Sequence, residues 1–462
     1  MNVIRVSFYM LYDLFIIYLY SIIIIIIIGR YNILQIFSTM NKLFTSPLAL
    51  ALYFIFLLQH VPFGISQNYP FTLRLLPNST ATEFGAACLD GSVPGYYYKP
   101  APNPASRNKW KIHFRGGGWC NNPESCYSRV ATSGGSSLYY DPNIYNTTNA
   151  PFGFMDDNST NAFGDWTAVW VPYCDGSSWS SRRTDPIVYN NTNIYLRGYN
   201  NLLAILSDLE VQGNFLSQAT EVIITGTSAG GMTTAIFTQY IKQRLLQSQT
   251  FVIALMDAGW WWNALDIHNK TSFGDSFQEA YDTNFWNTTD GNTLLPACVA
   301  STPRALQWQC MLPDYIYLDT YKNVDGVFVM QSLYDSAQLG MELGLPCDPF
   351  TTCNNSQLQQ MQTYRTIFEQ RILTGQANYP ERDGHFMTAC YQHEESCRDR
   401  DWYGIEIMDN STQITYTANQ VFTAWYYTLY NNTPTTVPTK LIDGTWPNNP
   451  SCASQDFHHG GC

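Results

Sequence analysis

Residues Glu221–Gly231 read EVIITGTSAGG, and the fold turns on how this stretch is read. Glu221–Thr225 is a β-branched run, the composition of a buried strand. Gly226-Thr227-Ser228-Ala229-Gly230 then fits G-x-S-x-G, and a helix-like segment follows from Gly231 to Leu246. A serine nucleophile needs this setting. A sharp, strained turn lifts its Oγ clear of the sheet, and glycines two residues to either side let strand and helix approach without Cβ clashes. The five residues alone are a weak signal; the strand–turn–helix context strengthens it against the alternative of a glycine-rich turn without chemistry. A phosphate site fits less well, because the turn lacks the Lys-Ser/Thr of a P-loop and the chain has no GxGxxG.

Other strand-like runs also stop at polar or glycine-rich turns. Trp110–Phe114 meets Arg115-Gly116-Gly117-Gly118-Trp119, Trp166–Pro172 meets Tyr173-Cys174-Asp175, Phe251–Met256 meets Asp257, and Gly326–Leu333 meets Tyr334-Asp335. Helix-like segments such as Asn200–Asp208 lie between them. Alternation of this kind predicts an α/β fold, with a mostly parallel central sheet covered by helices on both faces and working groups at the carboxyl ends of the strands.

A tetrahedral oxyanion needs backbone donors; Ala229, just after the serine, can supply one, and the loop Gly116-Gly117-Gly118-Trp119 can supply others. In this architecture the acid follows the serine and the histidine follows the acid. Asp257 and Asp335 both qualify by order. Asp335 stands one strand later and is preferred; Asp257 reads as a capping residue beside the pocket. Four histidines follow Asp335: His385, His393, His458 and His459. The last two sit in a glycine-flanked tail, without the spaced partners that a metal site needs. Chain order admits both His385 and His393. Cys390 and Cys397 flank His393, and a bridge between them would steady a base that must stay close to Oγ.

Composition sets the compartment. The chain has 462 residues, 45% hydrophobic and 13% charged, too apolar for a disordered protein. Twelve cysteines accompany nine N-x-Ser/Thr sequons, at Asn78, Asn146, Asn158, Asn190, Asn269, Asn287, Asn354, Asn410 and Asn431. Together they argue for passage through an oxidising, glycosylating compartment, and so for a protein that is secreted or held in the lumen of the secretory pathway or a lysosome-like compartment. Pairing sequence neighbours would join Cys120 to Cys126, Cys298 to Cys310, Cys347 to Cys353, Cys390 to Cys397 and Cys452 to Cys462, leaving Cys88 for Cys174. No CxxC pair is present, against a zinc ribbon or a thioredoxin-like site.

Residues 8–28 form one apolar run and Leu48–Leu58 another, the second preceded by Met40 and Lys42. The second has the order of a signal peptide over residues 40–66. Residues 1–39 are then an over-extended gene model, or, on the rival reading, an N-terminal membrane segment. The expected mature chain, 67–462, is a single catalytic domain. A net charge of −12 gives no electrostatic reason to bind nucleic acid or an anionic membrane.

The assembled motifs resemble the pectin acetylesterases and their animal relative Notum, α/β-hydrolase carboxylesterases. The resemblance runs through GAACLDGSVPGYYY (85–98), FRGGGWC (114–120) with Cys126-Tyr127-Ser128-Arg129, FGDWTAVWVPYCDGSSW (163–179) and YLRGYNNLLAILSDL (195–209). It continues through TGTSAGG (225–231), DAGWWW (257–262), LYDSAQL (333–339) and ACYQHEE (389–395), covering roughly residues 80–405. It implies a disulfide-stabilised α/β-hydrolase with Ser228 as nucleophile, Asp335 as acid and His393, in C-x-x-H, as base. Gly117, Gly118 and Ala229 fall on the oxyanion positions. Arg115 and Thr227 depart from the residues frequent in relatives, which bears on substrate fit rather than on the catalytic groups.

The implied activity is hydrolysis of O-acetyl esters on a polysaccharide such as pectin, through an acyl-enzyme, by a monomer without metal or organic cofactor. Alternatives are removal of a long acyl chain from a protein, or an inactive carbohydrate-binding relative. Trp119, Asp257, Trp260 and Trp261 are candidate pocket residues, with ordinary packing an equal reading for the run Trp260–Trp262.

Overall fold

The β-branched and aromatic runs form strands of one mixed sheet, and their alternating side chains explain why it is buried on both faces. The computed structural model describes residues 71–143, 153–157, 160–282, 295–447 and 450–452. The N-terminal expectations for residues 1–66, and those for Asn146, Asn158, Asn287, His458, His459 and Cys462, lie outside the described residues.

In chain order the strands are β1 (Thr72–Leu75), β2 (Gly95–Lys99), β3 (Lys109–Phe114), β4 (Thr167–Val171), β5 (Ile187–Tyr189), β6 (Thr192–Ile194), β7 (Glu221–Thr227) and β8 (Phe251–Asp257). They continue as β9 (Gly326–Ser332), β10 (Gly384–Thr388), β11 (Glu406–Asp409), β12 (Ile414–Thr417) and β13 (Lys440–Ile442). Among the described residues the main sheet has the order β1-β2-β4-β3-β7-β8-β9-β10-β13. From β4 to β13 all neighbours are parallel, whereas β1–β2 and β2–β4 are antiparallel. The pairs β5–β6 and β11–β12 are separate hairpins.

Successive residues of a strand face opposite sides of the sheet. On one side Val222 and Ile224 of β7 and Val252 and Ala254 of β8 join a core. Helices Gly198–Gly213 and Ala229–Lys242 pack there through Leu202, Ile205, Met232 and Ile236. On the other, Ile223, Ile253, Leu255 and Phe328 meet Val421, Phe422 and Trp425 of helix Ala418–Asn431. Each such fully buried side chain contributes about 1.5–3 kcal/mol of transfer free energy. The strand and helix junctions expected from sequence lie within two residues of those observed, except that helix Gly198–Gly213 outruns Asn200–Asp208 by five residues at its carboxyl end and helix Ala229–Lys242 stops four residues short of Leu246.

Disulfides join Cys88 to Cys174, Cys120 to Cys126, Cys298 to Cys310 and Cys347 to Cys353. Cys390 is bonded to Cys452, not to Cys397, so the expected Cys390–Cys397 and Cys452–Cys462 pairs do not form. Cys397 is itself disulfide-bonded. The sheet supplies the reason. β13 lies parallel to β10, so the chain leaving each strand emerges at the same edge and residue 452 is brought to residue 390. The six described sequon asparagines, Asn78, Asn190, Asn269, Asn354, Asn410 and Asn431, are all exposed.

Candidate active site

Parallel strands put their carboxyl ends on one edge, and each nominated group stands there. Ser228 directly follows β7, Asp257 ends β8, Asp335 comes three residues after β9, and His393 five after β10. The Gly116–Trp119 loop follows β3, beside β7.

Ser228 occupies φ 55°, ψ −120°, a conformation that a non-glycine residue holds only under constraint, and it caps helix Ala229–Lys242. Its N–H donates to the Asp257 carbonyl at 3.0 Å, and its carbonyl accepts from the Trp261 indole Nε1 at 3.3 Å. The flanking glycines are there for close approach. A Cβ on Gly226 would strike the Gly230 carbonyl, and one on Gly230 would strike the Phe114 carbonyl at the end of β3. The strained turn therefore fits only because strand, helix and neighbouring strand touch through bare backbone.

The His393 imidazole is hydrogen-bonded through Nδ1 to Asp335, at 2.7 Å to Oδ2 and 2.8 Å to Oδ1. Asp335 is fully buried and accepts further bonds from the Ala337 and Gln338 amides and from Gln331 Nε2 at 3.3 Å. Burial opposes charging of His393. Asp335 outweighs it through charge and hydrogen bond, with Glu394 and Asp257 adding to the effect, and the imidazole pKa is raised to about 9. Trp261 joins the two halves of the site, because the indole that bonds the Ser228 carbonyl also stands edge-on to the His393 ring at 6.1 Å. Gly116 lies between them. A Cβ there would come within 2.7 Å of Ser228 Cβ and would collide with the Glu394 carboxylate.

The glycine loop is held open by its neighbours. Gly118 is left-handed at φ 64°, and Gly117 stands at φ 146°. Arg129 Nη2 donates to the Gly117 carbonyl at 2.7 Å and the Trp119 carbonyl at 3.2 Å, which fixes the two peptide planes that carry them. Ser178 ties loop to elbow: its Oγ accepts from Trp119 Nε1 and donates to the Ala229 carbonyl, each at 2.7 Å.

The remaining nominees divide. Trp119 and Trp261 meet at 4.8 Å and pack with Phe273 and Phe277 of helix Ser272–Asp282 in an aromatic cluster beside Ser228. Trp260 is buried against Tyr317, and its Nε1 donates to Asp314. Asp257 is fully buried, and its carboxylate accepts from backbone amides of the base loop. His385 is buried within β10, bonded to Gln376, and burial pushes its pKa down to about 3. Among the described residues no cluster of His, Cys, Asp and Glu is arranged to hold a metal ion.

Sequence reading did not single out Gln331, Arg129 or Ser178. Gln331 left a trace as a polar residue near the end of an otherwise apolar strand. Arg129 and Ser178 sit inside quoted motifs, with nothing local to say what they hold.

Comparison with known proteins places the chain in a family. The Pectinacetylesterase family model matches residues 65–453. The chain belongs to the pectinacetylesterase family. Pectin acetylesterase 5 of Arabidopsis thaliana is 28% identical over 401 residues, covering 83% of this chain and 86% of the relative. The palmitoleoyl-protein carboxylesterase NOTUM of Homo sapiens is 25% identical over 408 residues, covering 83% of this chain and 73% of the relative. Among solved structures, the Wnt deacylase Notum from Drosophila superposes with a TM-score of 0.65 at 21% identity, over 83% of this chain and 99% of that one. At that identity the likeness shows a shared fold. This member of the pectinacetylesterase family is therefore an esterase-family protein with an α/β-hydrolase-like sheet.

Proposed function

We propose that the protein is a secreted serine carboxylesterase that removes O-acetyl groups from a polysaccharide such as pectin. The observation that carries this reading is the Asp335–His393 hydrogen bond at 2.7 Å, together with a serine held on a strained strand-to-helix turn at the same edge of the sheet. His393 takes the Ser228 proton as Oγ attacks the ester carbonyl, and Asp335 holds the imidazolium in the correct tautomer. The amides of Gly117, Gly118 and Ala229 receive the oxyanion, each donor worth about 3 kcal/mol in comparable sites. The alcohol leaves with the proton from His393, and water releases the acid from acyl-Ser228. Neither half-reaction calls for a metal or an organic cofactor.

A long acyl group is the second reading, supported by the relatives named as palmitoleoyl-protein carboxylesterases. The packing beside Ser228 favours acetyl. Trp119, Trp261, Phe273 and Phe277 lean on one another at 4.8–6.0 Å between centroids, so a long chain would have to part them. Secretion is supported by the disulfides and the exposed sequons, and among the described residues no helix is long and apolar enough to cross a membrane.

Acetate release from acetylated pectin, compared with hydrolysis of p-nitrophenyl acetate and p-nitrophenyl palmitate, tests the assignment. Acetate release and preference for the short ester are expected, both abolished in Ser228→Ala. Preference for palmitate would transfer the assignment to the long-chain reading.

A further inference from the structure

Asp257 takes no part in the chemistry just proposed, yet it is attached to both halves of it. β8 runs parallel to β7 in a register that sets Asp257 against Thr227, next to the nucleophile. Its main-chain carbonyl accepts the Ser228 N–H at 3.0 Å. That amide is thereby committed to the turn, which leaves Ala229 as the first free donor at the helix start. Its side chain points the other way. Oδ2 accepts the N–H of Glu395 at 2.8 Å and of Ser396 at 2.6 Å, the second and third residues after His393. The carboxyl is fully buried, and Oδ1 has no hydrogen-bond partner among the described residues.

We propose that Asp257 is a positioning residue for the esterase reaction, setting the separation of Ser228 and His393 by holding the nucleophile turn through its backbone and the base loop through its carboxyl. This rests on the serine-esterase reading given above. Without the carboxyl, the loop from Cys390 to Ser396 keeps its ties to the acid turn, through Ser332 Oγ to the Cys390 carbonyl and the Ser336 amide to the Gln392 carbonyl, and His393 keeps its edge contact with Trp261, but the loop loses its two amide bonds to the end of β8. A base displaced by about 1 Å can cost about 100-fold in rate.

A second consequence separates this role from a purely structural anchor. The carboxyl is faced by His393, Glu394 and Glu395 from the base loop, with Asp335 beyond His393. Burial above all, and then the Glu394 charge, push the Asp257 pKa up to about 7, while its hydrogen bonds from Ser396 and Glu395 pull the other way. Where Asp257 is ionised, its charge helps keep His393 protonated and so unable to act as a base. Asparagine can offer the same oxygen to the same two amides without the charge. Position and charge are thus separable in one pair of substitutions.

The full-length protein, as wild type, D257A, D257N and S228A, is assayed with p-nitrophenyl acetate from pH 5 to 10 and labelled with a fluorophosphonate. D257A is expected to lower kcat and the labelling rate by about 100-fold, with KM changed less than about 3-fold. D257N is expected to restore at least about tenfold of that loss and to move the acidic limb of kcat/KM to lower pH, as loss of a neighbouring negative charge requires. D257A labelled at the wild-type rate would overturn the proposal, as would a D257N limb that stays at the wild-type position. If D257A does not fold by circular dichroism, the limb and labelling rate of D257N decide alone. A wild-type protein that no fluorophosphonate labels, like S228A, would instead defeat the serine-esterase reading.

Discussion

Ser228 at φ 55°, ψ −120° stores strain of the order of 1–3 kcal/mol, and its surroundings hold it there through bonds from its amide and to its carbonyl. The residues around His393 are costly in another way. Asp257, Asp335, Glu394 and Glu395 are all buried within one small volume. Glu395 shows the consequence most cleanly. Its Oε1 accepts from Thr388 and Gln392, each at 2.5 Å, and its Oε2 has no hydrogen-bond partner among the described residues. Burial first, then the Asp257 charge, push its pKa up from 4.5 to about 8. The unfolded chain releases this proton near pH 4.5 and the folded one near pH 8, so between these values the folded state binds more protons. Stability from this group therefore falls as pH rises through that window. Glu395→Gln keeps the Oε1 acceptor and removes the charge. Its melting temperature relative to wild type should improve by several degrees between pH 5 and pH 9. Thermal melts at the two pH values measure this, and an equal difference at both would refute it.

At the scale of elements, the glycine loop after β3 and the elbow after β7 are neighbours because the two strands pair, from Lys109 against Glu221 to Phe114 against Gly226. The loop's shape then depends on a group outside either strand. Arg129, just beyond the helix Pro123–Tyr127, reaches back to the carbonyls of Gly117 and Trp119. Arg129→Ala should lower kcat on p-nitrophenyl acetate by about 10–100-fold, because misaimed oxyanion donors act on the transition state, with KM nearly unchanged. Arg129→Lys should recover only part of the loss, since one ammonium is a poor substitute for a planar fork that reaches two carbonyls. A KM effect with kcat intact would place Arg129 in substrate binding instead. Both the loop and the elbow were legible in the sequence, because their demands are local: a strand run, a turn that only glycine permits, a helix. β10 was not, since GHFMT is a short mixed run whose identity as a strand depends on lying between β9 and β13. The same dependence hid the role of Asp257, where sequence could say only that a carboxylate ends a strand.

Across the whole molecule, the disulfide error and the site share a cause. Sequence proximity favoured Cys390–Cys397, but the pairing follows from which strands end side by side, and β10 and β13 are far apart in the chain. Cys390–Cys452 fastens the base loop to the segment following the last strand of the sheet, across a separation of 62 residues. Closing a loop of that length restricts the unfolded chain by about 4 kcal/mol, against about 2 kcal/mol for the six-residue separation of Cys347–Cys353. The longer bridge also stands three residues before His393, where Cys390 adjoins the loop that Asp257 and Asp335 hold from the other side. Replacing Cys390 and Cys452 together by serine should therefore remove up to about 4 kcal/mol in urea unfolding and lower kcat in the protein that remains folded. The Cys347/Cys353 double replacement should cost about half as much in stability by the same loop-closure argument. Equal losses from the two replacements would mean that loop length does not govern this stability. Full kcat in the folded Cys390/Cys452 variant would mean that the strand ends alone suffice to place His393.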